Sequence, residues 1–252
     1  MILAILQART SSTRLPGKVL KPILGIPMLT HQIRRIKKSE QIDQLIIATS
    51  DKAEDDQICP IGEATGTPVF RGSLDDVLDR FYQATRRWPA EHIVRLTGDC
   101  PVIDPVIIDR VISRHLATQA DYTSNCRPAT FPDGMDVEVI TQQLLERFWN
   151  TATEPADREH VTLMIEKERE QYQVESVLHD PDLSNHRWTV DNNDDFQLVS
   201  EIYKHLYDSD PDFSMRDILF LLESEPELMR LNNHHLRNES LPATNFTMER
   251  NK

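Results

Sequence analysis

The strongest constraint on this chain is a series of short, nearly unbroken apolar runs that alternate with segments of helical spacing. Residues 2–6 are apolar throughout and run into a polar loop at 8–18, which predicts a buried strand. Residues 28–38 have helical spacing with a basic outer face. Residues 44–49 predict a second strand, 53–64 a helix and 68–70 a brief third strand. Over 74–87, Leu74, Val77, Leu78, Phe81 and Tyr82 recur at helical spacing, with Asp75 and Asp76 favouring the N-terminus. A strand over 92–96 and a helix over 105–116, opened by Pro105, continue the series. Such alternation predicts an α/β fold, a mainly parallel sheet with helices on both faces and ligands at the carboxyl ends of its strands.

The rhythm changes after Asp121. Residues 121–124, 135–140 and 172–178 read as strands, with helices near 142–150 and 158–170 between them. No linker-like segment separates this stretch, so it predicts a mixed-sheet extension of the same domain. Terminal helices follow over 193–207 and 214–222. The expectation is one domain over 1–235, including a dimerisation extension within about 121–180, and a polar, flexible tail over 236–252.

Charge narrows the range of partners. A net charge of −13 argues against nucleic acids and acidic membranes, which recruit excess cation. The total hides a split. Eight of the 28 Lys and Arg precede Glu40, the first acidic residue, so the first 39 residues carry +8 and the rest −21. That asymmetry points to a local anion site on an acidic body. Cys59, Cys100 and Cys126 lie far apart and form no Cys-x-x-Cys pair, which fits a reducing cytoplasm better than a disulfide framework or a zinc site. The apolar start is too short for a signal peptide, and no run has the length of a membrane span.

The loop after the first strand reads Gln7-Ala8-Arg9-Thr10-Ser11-Ser12-Thr13-Arg14-Leu15-Pro16-Gly17-Lys18. Its cations and hydroxyls suit a triphosphate, because guanidinium forks and an ammonium can divide the phosphate oxygens while turn N–H groups fill the gaps. Composition alone is equally compatible with a solvated basic loop. With only Gly17 it is neither a Walker loop nor a dinucleotide fingerprint. Two acids stand against it. Asp99 follows a predicted strand in Arg95-Leu96-Thr97-Gly98-Asp99-Cys100-Pro101, where Gly98 permits a sharp turn, and Asp191 ends the strand-like run 186–191. Singly, each suits a helix N-cap. Beside the basic loop, the pair suits Mg²⁺, which takes oxygen ligands and substrate phosphates.

In order, these segments and three others resemble a known family: Ala-Arg-x-x-Ser-x-Arg-x-Pro-x-Lys over 8–18, Ala-Thr-Ser-Asp over 48–51, Phe-Arg-Gly-Ser-x-x-Asp-Val-Leu over 70–78, Arg-Leu-Thr-Gly-Asp-Cys-Pro over 95–101, Arg-Glu-His-Val-Thr over 158–162 and Trp-Thr-Val-Asp over 188–191. The pattern is similar to the cytidylyltransferases that make CMP-activated sugars, and most similar to their spore coat polysaccharide branch, over residues 1–235. The resemblance implies a Rossmann-like nucleotidyltransferase fold of the GT-A type, a homodimer, and use of CTP and Mg²⁺ to activate a sugar, acidic or amino, with release of pyrophosphate. It places Ala8, Arg9, Ser12, Arg14 and Lys18 on the nucleotide, and Gly72, Ser73 and Thr97 near its ribose and base. It makes Asp99 and Asp191 the metal ligands, turns Glu138 and His160 toward the acceptor, and gives catalysis to Arg9, Lys18 and Asp99.

The chain also departs from the pattern. Asn192-Asn193-Asp194-Asp195 replaces the Thr-Pro-Glu-Asp that usually follows the last metal aspartate, keeping acid in a helix's first turn. Arg237-Asn238-Glu239-Ser240-Leu241 lacks the branch's glycine and tyrosine, which implies a lost contact in the tail. Alternatives on the same fold are transfer of another nucleotide, a phosphonate or sugar-phosphate acceptor, or a catalytically silent nucleotide-binding module. A glycosyltransferase would carry Asp-x-Asp after a mid-sheet strand, where this chain offers Asp99 alone. His234-His235 is adjacent and reads as a polar helix end whose rings cannot face one way.

Overall fold

The computed structural model describes residues 1–237. Its strands in chain order are β1 (Ile2–Gln7), β2 (Pro22–Ile23), β3 (Ile26–Pro27), β4 (Gln44–Ser50), β5 (Val69–Gly72), β6 (His92–Thr97), β7 (Tyr122–Ser124), β8 (Glu138–Thr141) and β9 (Val174–Ser176). Apart from the small β2–β3 hairpin, they form one sheet in the order β5-β4-β1-β6-β8-β7-β9. β5, β4, β1 and β6 run parallel, β8 is antiparallel to β6 and β7, and β9 is parallel to β7. The extension after Asp121 therefore continues the parallel sheet, and the fold is the expected mixed, mainly parallel one.

Both faces of the sheet are covered, which is why its strands read as continuous apolar runs. Leu3 and Ile5 of β1 face a core with Phe81, Leu145 and Phe148, while Ala4 and Leu6 face another with Met28, Ile33 and Val199. The helices are α1 (Met28–Ile36), α2 (Ile58–Thr65), α3 (Val77–Arg87), α4 (Pro105–Thr118), α5 (Gln142–Thr151), α6 (Pro155–Glu159), α7 (Met164–Lys167), α8 (Asn193–Leu206) and α9 (Met215–Ser224). Their starts obey capping chemistry. Asp76 caps α3, Asp104 caps α4 ahead of Pro105, and Asn192 with Asp195 and Ser214 with Asp217 close capping boxes on α8 and α9.

Several boundaries differ from the sequence expectation. The helix expected over 158–170 is broken: α6 ends at Glu159, Val161 takes φ 45°, and α7 begins at Met164. The cause is tertiary, since Thr162 turns inward to donate its hydroxyl to Glu138 at 2.7 Å. Residues 53–57 wind as a 3₁₀ helix ahead of α2, and α3 starts three residues later than expected, at the Asp76 cap. The run 186–191 is no strand. It makes one bridge, Arg187 to Asp133, and then follows the loop after β6.

The basic N-terminal segment is not all surface either. Arg35 is buried, donating to the carbonyls of Ile103 at 2.8 Å and Phe213 at 2.7 Å. The expected flexible tail is docked at its start, where Arg237 donates to the Phe131 carbonyl at 3.0 Å and to Asp136. Residues 238–252, with the rest of that predicted tail, lie outside the described residues.

Candidate active site

The basic loop is braced before any ligand is considered. Thr10 lends its carbonyl to the N–H groups of Ser12 (2.9 Å) and Gly17 (2.8 Å), closing the loop on itself. Its own N–H and hydroxyl each donate to Asp55 at 2.7 Å. Burial alone would push the Asp55 carboxyl up, but hydrogen bonds from Ser50 and Thr10 hold it below the ordinary value. Asp55 went unnoticed in the sequence because its role depends on a contact 45 residues away. Beside the loop, the Gly98 N–H donates to the Gln7 carbonyl at 2.8 Å. A Cβ at Gly98 would stand 3.0 Å from both that oxygen and the Ala8 Cβ, so close approach of the β1 and β6 ends explains this glycine.

The two acids meet on Lys18. Its Nζ lies 3.2 Å from Asp99 Oδ2, 3.0 Å from Asp191 Oδ1 and 2.7 Å from the Val190 carbonyl. The meeting is built by the run 187–191, which hydrogen-bonds the Asp99 carbonyl through the Val190 N–H at 2.8 Å and the Thr189 hydroxyl at 3.3 Å. Neither acid caps a helix, since Asp104 and Asn192 hold those positions. Burial opposes both charges, yet the pairing wins. The Lys18 ammonium, with hydrogen bonds from Thr97 and Lys18, brings Asp99 down to about 2, and the two carboxylates raise Lys18 above its usual value. Arg14 at 2.9 Å and Arg187 at 3.1 Å also reach Asp191 Oδ2.

These residues border a cleft of about 620 Å³ at the carboxyl ends of β1 and β6. Ala8, Arg9, Ser12, Arg14 and Lys18 line one side. Thr97, Asp99 and Asp191 line the floor, and His160 with Glu159 the opposite wall. Burial lowers the His160 pKa, which favours the neutral ring.

Three expected residues are not brought to the cleft. Gly72 ends β5 and Ser73 follows it, both behind Arg80, whose Nη1 donates to the Ser73 carbonyl at 2.7 Å. Glu138 is buried off the cleft with both oxygens engaged, one by Tyr122 and Thr162 and the other by Arg95. It is a fixed internal anion, held down to about 2 against its burial chiefly by Arg95 and Arg127.

In their place the cleft gains Arg80 and Arg95. Arg80 is 2% exposed, and its Nε has no hydrogen-bond partner among the described residues. Burial, then the neighbouring Arg9, lowers its pKa to about 10. Its position on the apolar stripe of α3, between Val77 and Phe81, was the available signal.

Asp99 Oδ2 and Asp191 Oδ1 converge on one point, now held by an ammonium, and both are oxygen donors. That donor set fits a hard divalent cation, and cationic side chains surround it on the cleft side, where phosphates would balance them. The arrangement can bind a polyphosphate and its metal together.

Comparison with known proteins agrees with this geometry. A family model described as cytidylyltransferase matches residues 3–237. The spore coat polysaccharide biosynthesis protein SpsF of Bacillus subtilis is 36% identical over 234 residues, covering 90% of this chain and 95% of SpsF. The structure of a cytidylyltransferase from Leptospira borgpetersenii superposes with a TM-score of 0.87 at 31% identity, over 90% of this chain and 96% of that one. CMP:2-keto-3-deoxy-manno-octonic acid synthetase, solved in complex with CTP, shares the fold at a TM-score of 0.61 and 16% identity, over 81% of this chain and 98% of its own. The chain belongs to the cytidylyltransferase family, with SpsF among its relatives, and is a nucleotidyltransferase.

Proposed function

We propose that this enzyme transfers CMP from CTP to a small sugar, acidic or amino, releasing pyrophosphate and supplying a CMP-sugar for surface polysaccharide. The observation that carries the reading is the meeting of Asp99 and Asp191 on Lys18 beside a braced loop bearing Arg9 and Arg14. The CTP bound in the fold neighbour and the polysaccharide role in the name of the Bacillus relative support it.

Arg9, Ser12, Arg14 and Lys18, with Ala8 at the loop's start, hold the triphosphate. Asp99 and Asp191 hold Mg²⁺, which when bound neutralises phosphate charge and orients the leaving group. Thr97 lies toward the nucleoside, and Gly72 and Ser73 act on it through Arg80. The acceptor oxygen displaces pyrophosphate at the α-phosphorus, so these side chains stabilise charge and take no covalent part. Asp99 and Lys18 keep opposite charges at neutral pH, and Arg9 closes the cleft toward Glu159, 3.9 Å away. His160 meets the acceptor with a neutral ring.

The protein works in the cytoplasm as a homodimer. Cys59, Cys100 and Cys126 are free, and no helix among the described residues is long and apolar enough to cross a membrane. The short strand β9 ends the sheet with an open edge. Pyrophosphate release assayed with each nucleoside triphosphate and a panel of sugar acids and amino sugars tests the reading. Turnover with CTP is expected; turnover with GTP and none with CTP would overturn it.

A further inference from the structure

Outside the cleft, one cluster gathers metal-ligating side chains. After the 3₁₀ turn Leu228–Leu231, the chain bends so that the Asn233 N–H meets the Met229 carbonyl at 3.1 Å and the His235 N–H meets the Asn232 carbonyl at 3.0 Å. This bend overrules the expectation that adjacent histidines must diverge. The rings of His234 and His235 lie 4.2 Å apart, and their Nε2 atoms lie 3.2 and 3.3 Å from one oxygen, Asp194 Oδ2. Asp194 is fixed independently in the first turn of α8.

Those spacings carry the argument. Ligands bound tetrahedrally at about 2.0–2.1 Å stand about 3.3 Å from one another. Asp194 Oδ2 already keeps that distance from each nitrogen, and the three ligand atoms lie within 4.8 Å of one another. We propose that Asp194, His234 and His235 form a Zn²⁺ site, separate from the cleft, with water completing the tetrahedron. Two imidazoles and a carboxylate select zinc-type ions, whereas the all-oxygen pair of Asp99 and Asp191 selects hard cations. The side chains are accessible, at 43%, 56% and 23% exposure for Asp194, His234 and His235, so an ion reaches them without unfolding.

The site is structural. It ties the bend at 232–235 to the start of α8, where Asn232 Nδ2 donates to the Arg187 carbonyl and to Asp195 Oδ1, each at 2.9 Å. Arg187 in turn holds Asp191, so the ion stiffens the frame behind the cleft without entering it.

The test is equilibrium dialysis of the full chain, free of any polyhistidine tag, against micromolar Zn²⁺ in millimolar Mg²⁺. One Zn²⁺ per chain is expected, with a raised Tm. His234→Ala and His235→Ala should each weaken binding at least tenfold, while Asp99→Asn binds Zn²⁺ as the parent does. Circular dichroism checks that each variant is folded. Co²⁺ gives a second readout, because a tetrahedral nitrogen-bearing site absorbs far more strongly in the visible than an octahedral oxygen site. No bound Zn²⁺ in the parent would overturn the proposal and leave the cluster as histidine–carboxylate hydrogen bonds. Binding unchanged when both histidines are replaced would overturn it equally.

Discussion

Lys18 is shared between two carboxylates, so its replacement and theirs have different consequences. Asp99→Asn keeps the size of the side chain but removes one of the two negative charges that meet on Lys18. We expect it to cut turnover by about a hundredfold or more while leaving measurable CTP binding, read by steady-state pyrophosphate release and nucleotide titration. Unchanged turnover would remove Asp99 from metal binding. Lys18→Met takes away the ammonium between the two acids, leaving Asp191 with Arg14 and Arg187 but Asp99 without its ion pair. The Asp99 carboxyl should then rise from about 2, and CTP binding should weaken along with turnover. A carboxyl-carbon NMR titration reads the first effect directly. Arg80, with its unsatisfied buried Nε, is expected to matter at the same scale, and Arg80→Met should raise the KM for CTP more than it lowers kcat.

Between residues and the whole lie the segments that present them. The run 186–191 is held against the loop after β6 through the Asp99 carbonyl and reaches Gly134 on its other side. That glycine has φ +105°, and a Cβ there would stand 2.6 Å from the Thr189 nitrogen and 2.7 Å from the Trp188 carbonyl carbon. Gly134→Ala should therefore cost about 3 kcal/mol in urea unfolding, and it should lower activity by displacing Asp191. The parallel half of the sheet was legible in the sequence because each strand is covered on both faces and so reads as a plain apolar run. The basic loop and the two acids that meet on Lys18 were legible as a group because their charges are concentrated in short segments. Asp55, Arg80 and Arg95 were not, since their significance lies in contacts between elements far apart in the chain. The surroundings of Glu138 were hidden for the same reason: its type was visible, but Tyr122, Thr162 and Arg95, which engage its oxygens, lie outside its own segment. The helix expected over 158–170 failed where Thr162 found a buried partner that helical spacing cannot reveal.

For the molecule as a whole, pH acts through buried histidines. His115 is pulled down to about 4, by burial first and then by His92, while burial also lowers His31, His92, His160 and His186. The unfolded chain takes up these protons near pH 6.5 and the folded one takes them up less readily, His115 only toward pH 4. The stability held above that pH is accordingly lost as pH falls from about 6.5 toward 4, with His115 alone contributing ~2 kcal/mol. Urea midpoints should drop across that window, and His115→Gln should flatten the slope. Sedimentation at micromolar concentration should show a dimer; a monomer would refute that assignment. The contact between Lys18 and Asp191 has a further consequence, because it spans 173 residues. A ribosome that has made the first 180 residues has made every strand of the sheet, the basic loop and Asp99, yet the partner carboxylate is still unborn. The nascent chain therefore carries Lys18 and Asp99 before the second acid that joins them, so this three-residue contact forms only after the last strand of the sheet has been made.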